Sequence, residues 1–138
     1  MRVKDWMTTT VISVSSNCTL PDAYLLMLDN KIRRLPVVEA GNLVGMVTLE
    51  DLRHSNQVSV TRIDVLHISG MLSKLPVRQL MTKNPKYISL TASIIDAAKL
   101  MLKHKISALP VLDENKLVGI ITESDIFRAF VELEEKKL

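Results

Sequence analysis

The sequence contains one cysteine, Cys18, so it cannot form a disulfide or a cysteine-rich zinc site within one chain. Aromatic residues make up only 4%, fewer than the stacking surfaces of single-stranded nucleic-acid binders require. The four glycines form no Gly-x-x-x-x-Gly-Lys loop, and the three histidines have no metal-binding spacing. We therefore expect no enzyme activity, no catalytic cofactor and no metal site.

Long hydrophobic runs are also missing. No stretch reaches the length of a membrane span, and the first residues carry no signal-peptide core, which predicts a cytoplasmic protein without a membrane anchor. The formal charge is +3 and the pI about 9.1. Acidic and basic residues are mixed along the chain, so the basic excess suits small anions better than nucleic acid.

An internal repeat organises the chain. The segment "LVGMVTLEDL" from Leu43 recurs as "LVGIITESDI" from Leu117, an offset of 74 residues. At the same offset, "VKDWMT" aligns with "VRQLMT" and "KIRRLPV" with "KISALPV", and 19 of the 50 pairs starting at Val3 and Val77 are identical. Such a repeat predicts one supersecondary unit used twice, which we place at residues 1–66 and 67–138.

Each repeat predicts the element order β-α-β-β-α. Thr19 and Ser93 begin capping patterns for the first helix of their repeats, and two β-branched runs separated by a polar turn follow. A second helix begins near Thr48 or Thr122, where Thr-x-x-Asp is again a capping pattern. The fold class is therefore α/β (α+β), with the two repeats packed as a pseudo-twofold pair.

This pattern resembles the CBS domain pair, a family named after cystathionine β-synthase and often called a Bateman module. The resemblance depends on Leu-Pro-Val before each hairpin, Gly-x-x-Thr-x-x-Asp after it and Met-Thr ahead of each repeat. It implies a regulatory module that binds adenosine-containing ligands (AMP, ADP, ATP or S-adenosylmethionine). It also implies a homodimer and a separate regulated protein, because the repeats occupy the whole chain given.

The resemblance further implies two ligand clefts between the repeats. One combines Thr122 and Asp125 with residues of the first repeat: Thr10, Val11, Ile12, Arg33, Arg34, Leu35 and Pro36. The other combines Thr48 and Asp51 with residues of the second: Asn84, Pro85, Lys86, Ser107, Ala108, Leu109 and Pro110. In both, the carboxylate accepts from ribose hydroxyls, and the threonine with the helix amino terminus binds phosphate.

The two clefts are expected to be unequal. Arg33 and Arg34 can form bidentate bonds to phosphate, whereas the equivalent residues of the second repeat are Ser107 and Ala108. The cleft with Asp125 is therefore expected to dominate. The competing interpretation is that the arginines are solvated surface residues and that Thr122 and Asp125 are helix caps only.

The sequence is also compatible with two other functions. The chain could be a structural or dimerisation module with vestigial clefts, or a nucleic-acid-binding regulator, suggested only by the pI. The carboxyl-terminal residues predict an amphipathic helix with Phe127 and Phe130 on its apolar side. This face would pack either against the other repeat or against a second chain.

Overall fold

The computed structural model describes residues 1–51 and 74–138. The chain divides into two compact units, which we call the first unit (Ile12–Pro85) and the second unit (Met1–Val11 with Lys86–Leu138). Both combine helices with β-strands, and the mixed α/β class is confirmed. The expected repeat boundary at residues 66 and 67 lies outside the described residues and stays a prediction.

The first unit contains helix α1 (Leu20–Asn30) and an antiparallel hairpin of β1 (Arg34–Glu39) and β2 (Asn42–Thr48). Thr19 caps α1, because its side chain accepts a hydrogen bond from the amide of Asp22. The short strand β3 (Thr82–Lys83) pairs antiparallel with β2. Residues 49–51 are helical and directly follow β2, as the sequence predicts.

The second unit repeats this arrangement. Strand β4 (Ile88–Ser89) leads into helix α2 (Ile94–His104), and β5 (Ala108–Asp113) and β6 (Lys116–Thr122) form the hairpin. Strand β4 is parallel to β5, and β5 is antiparallel to β6. Helix α3 (Glu123–Glu135) follows β6 without a break. The predicted β-α-β-β-α order is therefore confirmed for this unit.

The repeat is visible in the backbone as well as in the sequence. Both hairpins turn through two successive residues with positive φ, Ala40-Gly41 (51° and 82°) and Glu114-Asn115 (49° and 72°). Two positive φ angles are typical of the type I′ turn, whose twist matches that of paired strands. Helices α1 and α2 both end at a lysine with φ of 55°. The two copies thus share the same type of hairpin turn and the same type of helix end.

Residues 3–8 and 77–82, which we call the leading segments, precede the first helix of their repeats, and each hydrophobic core receives a side chain from the leading segment of the other repeat. In the second unit, Val3 is fully buried beside Leu109 and Ile121, and its amide donates to the carbonyl of Ala92 at 2.9 Å. In the first unit, Val77 is fully buried, and its amide donates to the carbonyl of Cys18 at 2.8 Å. The two leading segments are therefore exchanged between the copies.

Helix α3 has an exposed apolar side. The exposed fractions are 64% for Phe127 and 59% for Phe130, whereas Ala129 is buried in the core of the second unit. The amphipathic helix is confirmed, and its outer face is open in the single chain. Among the described residues, no helix has both the length and the apolar composition needed to cross a membrane.

Candidate functional site

The Thr-x-x-Asp motif of the second unit forms a corner where β6 ends and α3 begins. The amide of Thr122 donates to Oδ2 of Asp125 at 2.8 Å, and the amide of Asp125 donates back to Oγ1 of Thr122 at 3.4 Å. The predicted capping box is therefore present. The carboxylate lies at the positive end of the helix dipole, where negative charge is favourable.

Asp125 is the one charged residue that is buried in the described part of the chain. Its Oδ2 accepts from both the amide and the hydroxyl of Thr122, at 2.8 and 3.1 Å. Its Oδ1 accepts from the guanidinium of Arg128, one helical turn further along. A buried carboxylate requires such partners, because water can no longer solvate its charge.

Sequence reasoning did not identify Arg128, although a signal was present. Asp125 and Arg128 are three residues apart in a predicted helix, a spacing that places opposite charges next to each other. The exposed fraction of the side chain is 62% for Arg128 and 2% for Asp125. The ion pair therefore joins a solvent-facing cation to a buried anion.

The first unit has a matching corner at Thr48 and Asp51. The amide of Thr48 donates to Oδ2 of Asp51 at 2.9 Å, and the amide of Asp51 donates to Oγ1 of Thr48 at 3.1 Å. Both predicted corners thus have the same pair of reciprocal hydrogen bonds from main-chain amides. By the 74-residue offset, His54 corresponds to Arg128, and it lies outside the described residues.

Each corner lies beside the beginning of the first strand of its own hairpin, which is β1 in the first unit and β5 in the second. The amide of Leu49 donates to the carbonyl of Arg33 at 2.8 Å, and Arg34 is directly opposite Thr48 in the strand pair. The second unit has the equivalent bond from Glu123 to Ser107, at 3.0 Å. The expected combination of Asp125 with Arg33 and Arg34 involves residues of both units and stays a prediction.

The other predicted site residues fall into three groups by exposure. The exposed ones are Thr10, Arg33, Asn84 and Lys86. The half-buried ones are Val11, Ile12, Arg34, Pro85 and Ser107. The buried ones are Leu35, Pro36, Ala108, Leu109 and Pro110. Because Leu35 and Leu109 are fully buried in hydrophobic cores, their side chains offer no surface to an adenine ring.

Cys18 is a packed residue of the first unit. It is half-buried against the core of the first unit, and burial, together with the nearby Asp22 carboxylate, raises the pKa of its thiol. A raised pKa reduces the thiolate that a nucleophile needs. Within residues 1–51 and 74–138, no group of three His, Cys, Asp or Glu side chains is placed to hold a metal ion.

Two apolar grooves border helix α3 in the second unit. The larger, about 480 Å³, is lined by Leu102, Phe127 and neighbouring residues of α2 and α3. The smaller, about 340 Å³, includes Ile95, Phe130 and Leu133. Both grooves share Ala98 and Ile126, so they form one continuous apolar surface, which we call the α2/α3 face.

Known proteins match this chain over most of its length. The family model of the CBS domain matches residues 3–56 and 77–132. The chain is 36% identical over 124 residues to the CBS domain-containing protein YhcV of Bacillus subtilis, which covers 90% of this chain and 81% of that relative.

Two solved structures are similar over nearly the whole chain. CBSX2 from Arabidopsis thaliana, solved in complex with AMP, is 30% identical with a TM-score of 0.79, covering 96% of this chain and 98% of that one. The CBS domain pair of protein MJ0100, in complex with 5′-methylthioadenosine and S-adenosyl-L-methionine, is 27% identical with a TM-score of 0.76. That match covers 96% of this chain and 97% of that one. The chain therefore belongs to the CBS domain family and contains two CBS domains in tandem.

Proposed function

We propose that this CBS pair is a non-catalytic regulatory module that binds an adenosine-containing ligand, with AMP, ADP or ATP preferred over S-adenosylmethionine. The observation that carries the proposal is the pair of matched corners at Thr48-Asp51 and Thr122-Asp125. The relatives support it, because CBSX2 was solved with AMP and MJ0100 with 5′-methylthioadenosine and S-adenosyl-L-methionine.

The chemistry of a corner suits the ribose and phosphate of a nucleotide. A carboxylate can accept hydrogen bonds from two adjacent ribose hydroxyls, as an acidic residue does in dinucleotide-binding folds. The free amides and the dipole at a helix amino terminus favour a phosphate group. In the second unit, Asp125 and Thr122 stand at the start of the 13-residue helix α3 and can fill these two roles.

In the proposed arrangement, each ligand takes its ribose-and-phosphate corner from one repeat and its adenine contacts from the other. Main-chain groups around Leu35 and Leu109 would read the edge of the base. The half-buried Val11 and Ile12 are better candidates for stacking than Leu35 and Leu109, whose side chains belong to the cores.

We propose that the cleft with Asp125 is the stronger one. Arg33 is exposed and has a planar guanidinium that can bind phosphate oxygens in pairs. The equivalent position in the second repeat is Ser107, whose hydroxyl has no charge. The cleft with Asp51 would therefore take a less charged adenosine ligand or stay empty.

The proposed output is a change in a homodimer or in a separate regulated protein in the cytoplasm. Ligand binding can shift such an equilibrium only by its difference in affinity for the two states. The exposed α2/α3 face also favours a second candidate function, a dimerisation or protein-interaction module with vestigial clefts. The two candidates differ in whether any adenosine ligand stabilises the protein.

Thermal unfolding with excess AMP, ADP, ATP, S-adenosylmethionine and NAD tests the proposal. A ligand at about a hundred times its Kd adds about 2.7 kcal/mol of stability, which is visible as a shift in Tm. The test compares the wild type with Asp125→Ala, and Asp51→Ala is the matched control from the other copy. Because both aspartates also cap helices, each shift is measured from the unliganded Tm of the same variant.

The expected result is a shift with an adenine nucleotide that disappears in Asp125→Ala and is largely kept in Asp51→Ala. Equal losses in the two variants would contradict the inequality of the clefts. The absence of any shift for the wild type would reject the nucleotide-binding module, favour the interaction module and leave Thr122 and Asp125 as helix caps.

A further inference from the structure

Arg128 occupies the carboxylate oxygen that a ribose would need. The buried Asp125 carboxylate accepts from three donors in this structure: the Thr122 amide and hydroxyl at Oδ2 and the Arg128 guanidinium at Oδ1. The Thr122 amide belongs to the helix cap and cannot leave without loss of the first turn of α3. Arg128 is the partner that can move, because its side chain is 62% exposed.

A ribose diol brings two hydroxyl donors to one carboxylate. Oδ2 already accepts two hydrogen bonds, and Asp125 has almost no exposed surface. A ribose that binds Asp125 would therefore compete with Arg128 for Oδ1. The displaced guanidinium stays within the first turns of α3, close to the helix end where a phosphate would lie.

We propose that Arg128 determines ligand specificity at this corner: it covers Asp125 when no ligand is bound and pairs with the ligand's phosphate when one is. The inference depends on the proposed binding of adenosine ligands. A phosphorylated ligand replaces the lost ion pair with a new one, whereas an uncharged adenosine breaks the pair and supplies no anion in return. Arg128 thus favours AMP over adenosine, because it strengthens the binding of AMP and weakens the binding of adenosine.

The preference for AMP over adenosine is expected mainly at the corner with Asp125, where Arg128 lies. The equivalent residue of the first repeat is His54, which the 74-residue offset aligns with Arg128. An imidazole is a weaker phosphate partner than a guanidinium, which can form paired hydrogen bonds to phosphate oxygens. The corner at Asp51 is therefore expected to discriminate less between AMP and adenosine.

Calorimetric titration of AMP and of adenosine measures the effect, since the two ligands differ only by the phosphate. The variants are Arg128→Ala, Arg128→Lys and the control Lys136→Ala. The control also removes one cation from α3, because Lys136 forms an exposed ion pair with Glu132 near the carboxyl end of the helix. Repeating the titrations in an Asp51→Asn background restricts the signal to the Asp125 corner.

We expect Arg128→Ala to weaken AMP binding by about tenfold, the loss of one charge-assisted hydrogen bond. Adenosine binding is expected to stay constant or become tighter, because no cation competes for Asp125. Arg128→Lys keeps part of the preference for AMP, and Lys136→Ala changes neither affinity. Opposite changes in the affinities for AMP and adenosine would not result from a general destabilisation of α3.

Equal weakening of both ligands in Arg128→Ala would overturn the inference and make Arg128 a structural partner of Asp125. Unchanged affinities for both ligands would also overturn it. If the wild type binds neither AMP nor adenosine, the inference is overturned, and the proposed function fails as well if none of AMP, ADP, ATP, S-adenosylmethionine and NAD shifts the wild-type Tm. The wild-type titration and the wild-type Tm together therefore separate the two failures.

Discussion

Met81 covers Gly45 so closely that a Cβ on the glycine would overlap the methionine sulfur. The second unit has the same arrangement, in which a Cβ on Gly119 would lie 2.6 Å from the sulfur of Met7. These contacts hold each leading segment against a hairpin strand, next to the pairing of Thr82 with β2 and of Thr8 with β6. The glycines are needed because a methyl group would fill the space that the thioether occupies.

Gly45→Ala and Gly119→Ala are each expected to destabilise the protein by about 1–3 kcal/mol, the usual result of overpacking. The two variants differ in how much of the lost stability a second substitution can restore. The nearest atoms to the new Cβ at Gly45 all belong to the Met81 side chain, whereas at Gly119 the Thr8 carbonyl oxygen also lies at 2.9 Å. Urea unfolding of the single and double variants measures the difference.

Met81→Ala should therefore recover much of the loss caused by Gly45→Ala, because it removes the sulfur and Cγ. Met7→Ala should recover less of the loss caused by Gly119→Ala, because the backbone oxygen remains. If the second substitution restored the same amount of stability at both sites, the main chain at Thr8 would be able to move away from the new Cβ without destabilising the protein.

The threonines of the two corners should contribute unequally to stability. Thr122→Ala is expected to cost about 0.5–2 kcal/mol, the usual range for loss of a helix cap, and more than Thr48→Ala. The reason is that Thr122 also donates its hydroxyl to the buried Asp125, which would lose one of its three donors. Chemical denaturation of both variants measures the difference.

Thr122→Ser is the control for this comparison, since serine keeps the hydroxyl and the cap. It should be nearly as stable as the wild type. A loss as large as that of Thr122→Ala would show that the methyl group, rather than the hydroxyl, is what the corner requires.

Glu39 should make the first unit more stable near neutral pH than in acid. Hydrogen bonds from the hydroxyl and the amide of Ser16 lower the pKa of Glu39 below its ordinary value of 4.5. A carboxyl group with a lowered pKa in the folded state contributes stability above its ordinary pKa. This contribution is lost as the pH falls through the folded value.

Glu39→Gln is therefore expected to reduce the urea midpoint at about pH 7 and to have a progressively smaller effect as the pH falls below 4.5 and the wild-type group becomes protonated. Ser16→Ala should show the same trend with a smaller amplitude, because the Ser16 amide still donates to Glu39. A penalty for Glu39→Gln that does not vary with pH would contradict this explanation.

The α2/α3 face should hold the proposed homodimer together. Phe130→Asp and Phe127→Asp place a charge on the exposed apolar side of α3, and burying that charge against a second copy is unfavourable. We expect sedimentation equilibrium to show the mass falling from twice 15.5 kDa to 15.5 kDa.

Tyr87→Asp is the matched control, because Tyr87 is 56% exposed but lines neither groove. It should leave the dimer intact. A wild type that sediments as a monomer would refute the dimer, and a dimer that persists in both phenylalanine variants would place its interface elsewhere.

The sequence by itself determined the features that depend on neighbouring residues. The 74-residue repeat, the Thr48 and Thr122 caps and the two hairpins could all be predicted, because caps and turns involve hydrogen bonds between residues at most four apart. The ion pair of Asp125 with Arg128 depends on the same short spacing and was not predicted, although the spacing of the two charges indicated it.

Only the tertiary structure decided which copy each leading segment joins. The sequence shows Val3 and Val77 as equivalent, but it has no signal that Val3 enters the core containing Leu109 or that Val77 enters the core containing Leu35. Hydrophobic burial is non-directional and depends on area, so periodicity tells which side chains are buried and not which core they enter. Burial in that core also removed Leu35 from the side chains available to an adenine ring, because packing depends on contacts between residues distant in the chain.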